Sequence, residues 1–183
     1  VYHWIARGMN KKDLFHKRED YGRFRGLIRE YQATFSVVVY HYCFMTNHVH
    51  MLVHSETREQ LSRFSHFVQR RYAYYYCGKY QWTGSVFQRG FRSLPVDRDE
   101  YLLECGRYIE RNPLKAKLVK HPGDYEHSSY RYYAHGEEDD LVSPSPAYLG
   151  LSEDAEDRRR IYASYVAETR IQEEMAEKGL LAL

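Results

Sequence analysis

The chain has 183 residues, of which 43% are hydrophobic, enough for one domain with a sizeable core. No apolar run approaches the roughly 20 residues that a membrane-spanning helix needs, so we predict no membrane segment. Its three cysteines, Cys43, Cys77 and Cys105, are widely spaced and form no CxxC pair, which argues against a disulfide framework or a cysteine-rich zinc site and favours a cytoplasmic location.

The net charge of +2 conceals an asymmetry between two parts of the chain. Residues 1–136 carry 22 basic and 13 acidic side chains, a balance of +9, whereas residues 137–183 carry 5 basic and 12 acidic, a balance of −7. A basic body with an acidic tail is typical of a polyanion-binding domain with a distinct appendage, although a charged face is often only solvated. We therefore predict a domain at residues 1–136, followed by an acidic linker and a C-terminal helical tail at residues 137–183.

The pattern of apolar residues predicts six elements in the first hundred residues. Segments rich in β-branched and aromatic residues predict strands at 2–8, 35–44, 48–54 and 86–96. Apolar side chains spaced at three and four predict helices at 19–31 and from 61 toward 79. The order strand–helix–strand–strand–helix–strand is that of the ferredoxin-like unit, so the predicted fold class is α+β: an antiparallel sheet with helices on one face.

A further helix follows the completed unit. Apolar residues at helical spacing predict it at residues 98–111, and Pro113 predicts its end, because the residue before a proline disfavours helical geometry. This helix is free to dock across the exposed face of the sheet. Residues 137–147 combine a charge run with prolines, and residues 153–178 predict a polar terminal helix.

The segment with the most chemical information is residues 45–52, MTNHVHML. Because side chains alternate along a strand, His48 and His50 project from one face, roughly 7 Å apart at their Cα atoms, while Val49 points into the core. Two imidazoles on one face can reach a single divalent cation, although an HxH pair is more often two ordinary histidines. The setting favours a ligand pair, because the histidines take the polar positions of a strand whose other face is core.

Tyr108 and Asn112 are one helical turn apart, which places them on one helix face about 6 Å from each other. An amide oxygen is a reasonable ligand for a hard cation, and a neighbouring phenol would lie beside that cation. From the spacing alone, a core tyrosine and a polar residue before a helix-ending proline explain the pair better.

The chain resembles the REP-associated tyrosine transposases, which belong to the HUH single-tyrosine transposases. The similarity covers roughly residues 1–135 in consistent order. It is carried by Tyr2-His3, Arg7-Gly8-Met9-Asn10, MTNHVHML, QRGFRS at 88–93, RYIERNPLKA at 107–116 and Ser128-Ser129-Tyr130. Two positions depart from the family pattern: Thr46 stands where proline is common, and Lys117 where glycine is frequent.

The resemblance implies a metal-dependent DNA endonuclease and strand transferase. His48, His50 and Asn112 would bind Mg²⁺ or Mn²⁺, and Tyr108 would attack the DNA backbone to form a 5′-phosphotyrosine intermediate. The implied substrate is single-stranded or hairpin DNA, a REP-like palindrome, handled by a monomer or homodimer. Candidate DNA contacts are the basic side chains of Arg7, Lys11, Lys12, Arg70, Arg71, Arg89 and Arg92.

Three alternatives stay open. A domesticated hairpin-binding protein could keep the same residues without significant catalysis. A relaxase or rolling-circle initiator agrees less well, because relaxases usually place the tyrosine before the histidine pair and initiators usually carry further domains. The third is a protein with a structural metal at the two histidines, for which the nearby cysteines of a closed zinc site are missing.

Overall fold

The computed structural model describes residues 1–96 and 99–168, except for the side chains of residues 89, 90, 99 and 100. Four strands form one antiparallel sheet in the order β2-β3-β1-β4. They are β1 (Tyr2–Gly8), β2 (Val38–Met45), β3 (His48–His54) and β4 (Phe87–Pro95). With a helix in each crossover, this is the ferredoxin-like order, so the predicted fold class is confirmed.

Two long helices cover one face of the sheet. They are α1 (Arg18–Thr34) and α2 (Arg58–Tyr80), and they pack over inward-facing side chains such as Trp4 and Met51. The Trp4 indole N–H donates to Ser65 Oγ at 2.7 Å, which satisfies a polar group inside this layer. Burial of each large apolar side chain here contributes roughly 1.5–3 kcal/mol, so this layer is the main source of stability.

The predicted strand at 35–44 begins too early. Phe35 caps α1, because its backbone N–H donates to the carbonyl of Tyr31 at 3.0 Å, and β2 starts only at Val38. Ser36 then adopts a left-handed φ of 51°, which breaks the helical path. The aromatic side chain of Phe35 is buried in the core. Its hydrophobicity therefore reflects packing at a helix end, not membership of a strand.

A third helix lies on the opposite face of the sheet. This helix, α3 (Asp99–Lys115), packs over β2 and β3, where Leu102 joins a second apolar cluster with Cys43 and Leu52. The helix after the ferredoxin-like unit thus docks across the exposed sheet face, as expected. Just beyond it, Lys117 adopts a left-handed φ of 57°, a conformation that glycine adopts more readily than lysine.

Pro113 does not end α3, contrary to the prediction. The helix continues to Lys115, although a proline lacks the N–H that would bind the carbonyl of Ile109. Asn112 compensates, because its Nδ2 donates to the carbonyl oxygens of Tyr108 at 2.8 Å and Ile109 at 3.3 Å. The same hydrogen bonds fix the orientation of the Asn112 side chain.

The acidic run near residue 140 packs against the body of the protein. Asp139 and Asp140 both accept hydrogen bonds from Arg25 of α1, and Asp140 also pairs with Arg29. These ion pairs neutralise part of the acidic segment and hold it against α1.

Three short helices complete the described chain: α4 (Tyr130–His135), α5 (Pro146–Leu149) and α6 (Ala155–Ala167). Tyrosines form their shared apolar cluster, namely Tyr130, Tyr133, Tyr148 and Tyr162. Within the predicted helix at 153–178, α6 covers Ala155–Ala167 and Glu168 is no longer helical, whereas residues 169–178 lie outside the described residues. Over residues 1–96 and 99–168, no helix is long and apolar enough to cross a membrane.

Candidate active site

Strand β3 places His48 and His50 on the face of the sheet that α3 covers. Val49, between them, belongs to the opposite core, as strand alternation requires. The two imidazole centroids are 4.9 Å apart and their planes are nearly perpendicular, at 86°. His50 is buried, whereas His48 is half-buried. Both histidines therefore lie next to each other on the face of β3 that α3 covers.

A third histidine, which sequence reasoning did not assign, joins this pair. His3 of β1 is fully buried, and its Nε2 lies 2.9 Å from Nδ1 of His50. The two rings are stacked at a centroid distance of 5.1 Å. Alternation along β1 puts His3, Ile5 and Arg7 on one face, but only the pairing of β1 with β3 shows that this is the face of His50.

Helix α3 brings Tyr108 to the imidazoles. Its ring centroid lies 5.8 Å from that of His50 and 5.9 Å from that of His3, with the rings edge to face. The Nζ of Lys115 lies 5.2 Å from the Tyr108 centroid, close enough for a cation–π contact. A sheet and a later helix thus converge on one cluster, in which Tyr108 is only 5% exposed.

The amide of Asn112 lies one turn after Tyr108 on the same helix and is 9% exposed. Because its Nδ2 is bound to the backbone of α3, Oδ1 is the end of the side chain that remains for a ligand. The hydrogen bonds by which Asn112 replaces the one missing at Pro113 therefore also orient its amide group.

The ring nitrogens of the histidine pair are divided between protein partners and a possible ligand. Nδ1 of His48 lies 2.6 Å from Oδ1 of Asn47, and Nδ1 of His50 is engaged by His3. At His48 this contact leaves Nε2 for a ligand, and at His50 it does so when Nδ1 is the donor to His3. Among the described residues, no group of three or more His, Cys, Asp or Glu side chains could hold a metal ion. Two imidazole nitrogens and one amide oxygen, which His48, His50 and Asn112 could supply, are a donor set that suits a divalent cation.

Burial keeps the imidazoles neutral. It lowers the pKa of His3 to about 4, and burial together with the nearby charge of Arg7 lowers the pKa of His48 to about 4. The pKa of His50 falls well below 6.5, first through burial and then because a proton on this ring would be repelled by charge on His3, His48, Arg7 and Lys115. Burial also raises the pKa of Tyr108, an effect that Arg7 partly opposes. At neutral pH the site holds neutral imidazoles with free electron pairs beside a protonated phenol.

We expect the metal-free protein to lose stability as the pH falls from about 6.5 to about 4. In this window the unfolded chain binds protons at His3 and His48 that the folded protein does not, so the free energy of unfolding rises with pH. The shift at His3 alone corresponds to about 3 kcal/mol. Urea denaturation at about pH 4.5 and about pH 7.5 measures the difference, which should be smaller in a His3→Phe variant. If the free energy of unfolding is the same at the two pH values, these imidazole rings are not buried in their neutral form.

A buried polar network around Glu110 ties α3, the helix that carries Tyr108, to its neighbours. Glu110 is fully buried, and its carboxyl group accepts hydrogen bonds from Ser129 Oγ at 2.7 Å and the Tyr162 hydroxyl at 2.8 Å. His41 Nδ1 of β2 lies 2.9 Å from the same carboxyl group. Gly106 makes room for that ring, because a Cβ there would lie 2.7 Å from it. The network joins α3 to β2, to Ser129 at the start of α4 and to α6, and so helps to fix α3 over the sheet.

Two of the predicted DNA contacts flank the histidines. Arg7 is in register with His48, and Arg92, exposed on β4, is in register with Ile5 and so shares the face of His50. Both guanidinium groups are therefore on the side of the sheet that carries Tyr108.

The other basic residues are more dispersed. Lys11 and Lys12 lie in the loop after β1, where Asn47 Nδ2 donates to the Lys11 carbonyl at 3.1 Å. Arg70 and Arg71 are exposed on α2, across the sheet from the histidine pair. The side chain of Arg89 lies outside the described part of the structure. The structure thus brings Arg7 and Arg92 to the site face and leaves Arg70 and Arg71 away from it.

The model of one protein family, described as "Transposase IS200 like", matches residues 1–112, a range that contains His48, His50, Tyr108 and Asn112. The structure of a REP-associated tyrosine transposase bound to a REP hairpin is similar, with a TM-score of 0.63 and 15% identity over 79% of this chain and 85% of that one. At such low identity, this similarity shows the fold alone.

A crystal structure of a candidate transposase from Deinococcus radiodurans R1 covers 60% of this chain and 88% of its own, at 16% identity. Its TM-score of 0.44 is too low to carry an argument. No curated protein matches the chain significantly.

Proposed function

The chain belongs to the family of IS200-like transposases, and from this membership we propose that it is a metal-dependent endonuclease and strand transferase of single-stranded or hairpin DNA. The observation that carries the proposal is the contact between Tyr108 of α3 and His50, with His48 beside His50 and the Asn112 amide one helical turn after Tyr108. A phenol, two neutral imidazoles and an oriented amide are the groups that tyrosine-mediated, metal-assisted cleavage needs.

The ligands that we propose for Mg²⁺ or Mn²⁺ are Nε2 of His48, Nε2 of His50 and Oδ1 of Asn112. Their fit is supported by the low pKa values of the imidazoles, which leave electron pairs free at neutral pH. A cation held there would polarise the scissile phosphate and stabilise the negative charge that builds up on it. Arg7, beside His48, adds a fixed positive charge to the same region.

Tyr108 is the proposed nucleophile. Its Oη attacks the scissile phosphorus in line, so that the bond from phosphorus to O3′ breaks as the bond to Oη forms. The downstream strand is then held by a 5′-phosphotyrosine link, and the other strand ends in a 3′-hydroxyl. The phenol loses one proton and the leaving oxygen gains one. Attack by a 3′-hydroxyl on the phosphotyrosine reverses these steps, so strands are rejoined without a nucleotide cofactor.

The DNA that we propose is a hairpin with single-stranded flanks. The structurally similar REP-associated tyrosine transposase is bound to a REP hairpin. Arg7 and Arg92 are the first candidates for phosphate contacts, because they share the face of the site. Lys11 and Lys12, in the neighbouring loop, are the next. Arg70 and Arg71 would contact only DNA that extends to the α2 layer.

A second candidate function is hairpin binding without significant catalysis. One observation favours it: Tyr108 is only 5% exposed, and burial raises its pKa, both of which oppose attack on a phosphate. Binding alone, however, requires neither two neutral imidazoles nor an oriented amide beside the phenol. We therefore favour the catalytic function.

A hairpin oligonucleotide with a 3′ label separates the two functions, because the fragment joined to the tyrosine keeps its 3′ end. We expect Mn²⁺ to transfer the label to the protein on a denaturing gel, and EDTA to prevent this. His50→Ala should lower the adduct yield by more than about 100-fold, because it removes a direct ligand. His54→Ala, farther along the same strand face, should leave it unchanged.

The test uses a set of palindromic hairpin oligonucleotides with single-stranded flanks. Tight hairpin binding with no adduct in Mn²⁺ would favour the second candidate. Full adduct yield in EDTA would refute the metal dependence.

A further inference from the structure

Each of the two proposed metal-binding histidines is held by a side chain that the proposed reaction does not itself use. Asn47 engages Nδ1 of His48 at 2.6 Å, and His3 engages Nδ1 of His50 at 2.9 Å. A neutral imidazole carries its proton on one nitrogen and its electron pair on the other, so the partner of Nδ1 determines whether Nε2 can bind a cation.

The contact at His48 has a defined direction. Asn47 Nδ2 donates to the carbonyl of Lys11 at 3.1 Å, so the amide oxygen is the atom that faces His48. That oxygen only accepts, and Nδ1 of His48 must therefore carry the proton. Nε2 of His48 is left with its electron pair. A second property follows: Asn47 couples this imidazole to the loop that holds Lys11 and Lys12.

The contact at His50 allows two proton arrangements. If Nδ1 of His50 donates to Nε2 of His3, Nε2 of His50 is free for a cation. If Nε2 of His3 is the donor instead, the proton of His50 moves to Nε2 and blocks it. In the first arrangement His3 carries its proton on Nδ1, a buried atom with no hydrogen-bond partner among the described residues. The first arrangement therefore has a cost within the protein, which a cation bound at His50 would offset.

We propose that His3 and Asn47 are positioning residues that keep His50 and His48 in the tautomers whose Nε2 atoms face a divalent cation. This inference rests on the proposed function, because it takes the two histidines as metal ligands. Partners that orient a ligating histidine raise metal affinity by roughly 10–100-fold, and we expect the loss of either partner to have an effect of that size.

Mn²⁺ binding to the full chain without DNA, measured by the electron paramagnetic resonance of free Mn²⁺, tests His3. His3→Phe keeps a ring in the β1 position but offers no acceptor to His50, so its Mn²⁺ affinity should fall roughly 10–100-fold. His16→Phe is the control, because His16 also makes a ring-nitrogen hydrogen bond, to the Tyr76 hydroxyl of the α2 layer. Its affinity should equal that of the wild type.

The same measurement tests Asn47 with two variants. Asn47→Leu removes the acceptor for His48 and should lower Mn²⁺ affinity by a similar factor. Asn47→Asp loses the donor to Lys11 but keeps an oxygen for His48, so it should restore affinity to at least the wild-type value. If the two variants bind Mn²⁺ equally weakly, the loop contact is what matters, and the assignment of Asn47 is wrong.

The protonation of the imidazole nitrogens gives an answer that does not depend on any variant folding. In ¹⁵N NMR spectra of the wild-type protein with saturating Mg²⁺, His48 and His50 should carry their protons on Nδ1 and none on Nε2. His3 should carry its proton on Nδ1. A proton on Nε2 of either candidate ligand would overturn the inference.

The inference and the proposed function fail in different ways. If the wild-type protein forms the DNA adduct but its Mn²⁺ affinity equals that of the His3→Phe variant, only the positioning role of His3 is overturned. A wild-type protein that binds no Mn²⁺ overturns the metal assignment in both.

Discussion

The Tyr108→Phe variant is expected to form no covalent adduct with a 3′-labelled hairpin, while its hairpin affinity stays at the wild-type value. Phenylalanine keeps the ring that contacts His50, His3 and the Lys115 ammonium group, so packing at the site is retained. Only Oη is removed, and with it the proposed nucleophile. Denaturing gels measure the adduct, and fluorescence anisotropy of a labelled hairpin measures binding.

Tyr101→Phe is the matched control, because Tyr101 lies on the same helix and contacts the same apolar cluster. It should retain the adduct yield of the wild type. An undiminished adduct in Tyr108→Phe would remove Tyr108 from the reaction. Loss of hairpin binding in that variant would instead mean that the hydroxyl contacts DNA.

The second large effect is expected for stability at Glu110. Glu110→Ala should lower the free energy of unfolding by about 3–5 kcal/mol, because it leaves His41 and the Tyr162 hydroxyl buried without their shared acceptor. Urea denaturation measures the change. The exposed Glu126, which pairs with Arg18 at the surface, offers a Glu→Ala control expected to cost less than about 1 kcal/mol.

This effect bears on the site because Glu110 is on the helix that carries Tyr108. If α3 is destabilised, Tyr108 is no longer held in a fixed position over the sheet. The yield of DNA adduct should therefore fall together with the free energy of unfolding. If Glu110→Ala were as stable as the Glu126→Ala control, the network would not be what holds α3.

Most of the fold follows from periodicity alone. Alternation along β1 and β3 and the helical stripes of α1 and α2 predict the ferredoxin-like order that the structure shows. The errors lie where tertiary contacts replace a local rule. Phe35 is buried at a helix end, and Pro113 stays inside α3 because Asn112 takes over a carbonyl that the proline cannot satisfy.

The candidate site, too, could be predicted from the sequence only in part. Strand alternation predicted that His48 and His50 share a face, but the roles of Tyr108 and Asn112 on the later helix could be assigned only through family resemblance. His3 was missed, because its position beside His50 depends on strand register. That register is set by long-range pairing, on which the local pattern carries little information.

The Glu110 network was also beyond the reach of the sequence. It combines side chains separated by tens of residues, from β2, α3 and α6. Neither hydrophobic periodicity nor a short motif distinguishes a buried Glu110 or His41 from an ordinary surface residue, because glutamate is mostly exposed and histidine is intermediate in burial.

The proposal that Tyr108 is the nucleophile is best tested by identifying the residue that carries DNA after cleavage. The wild-type protein is incubated with a hairpin oligonucleotide and Mn²⁺, digested with nuclease and trypsin, and analysed by mass spectrometry. We expect a tryptic peptide in which a nucleotide is joined through its 5′-phosphate to Tyr108, and no such peptide when EDTA is present. A nucleotide on any other of the 19 tyrosines, or Tyr108 recovered only unmodified while the hairpin is cut, would contradict the proposal.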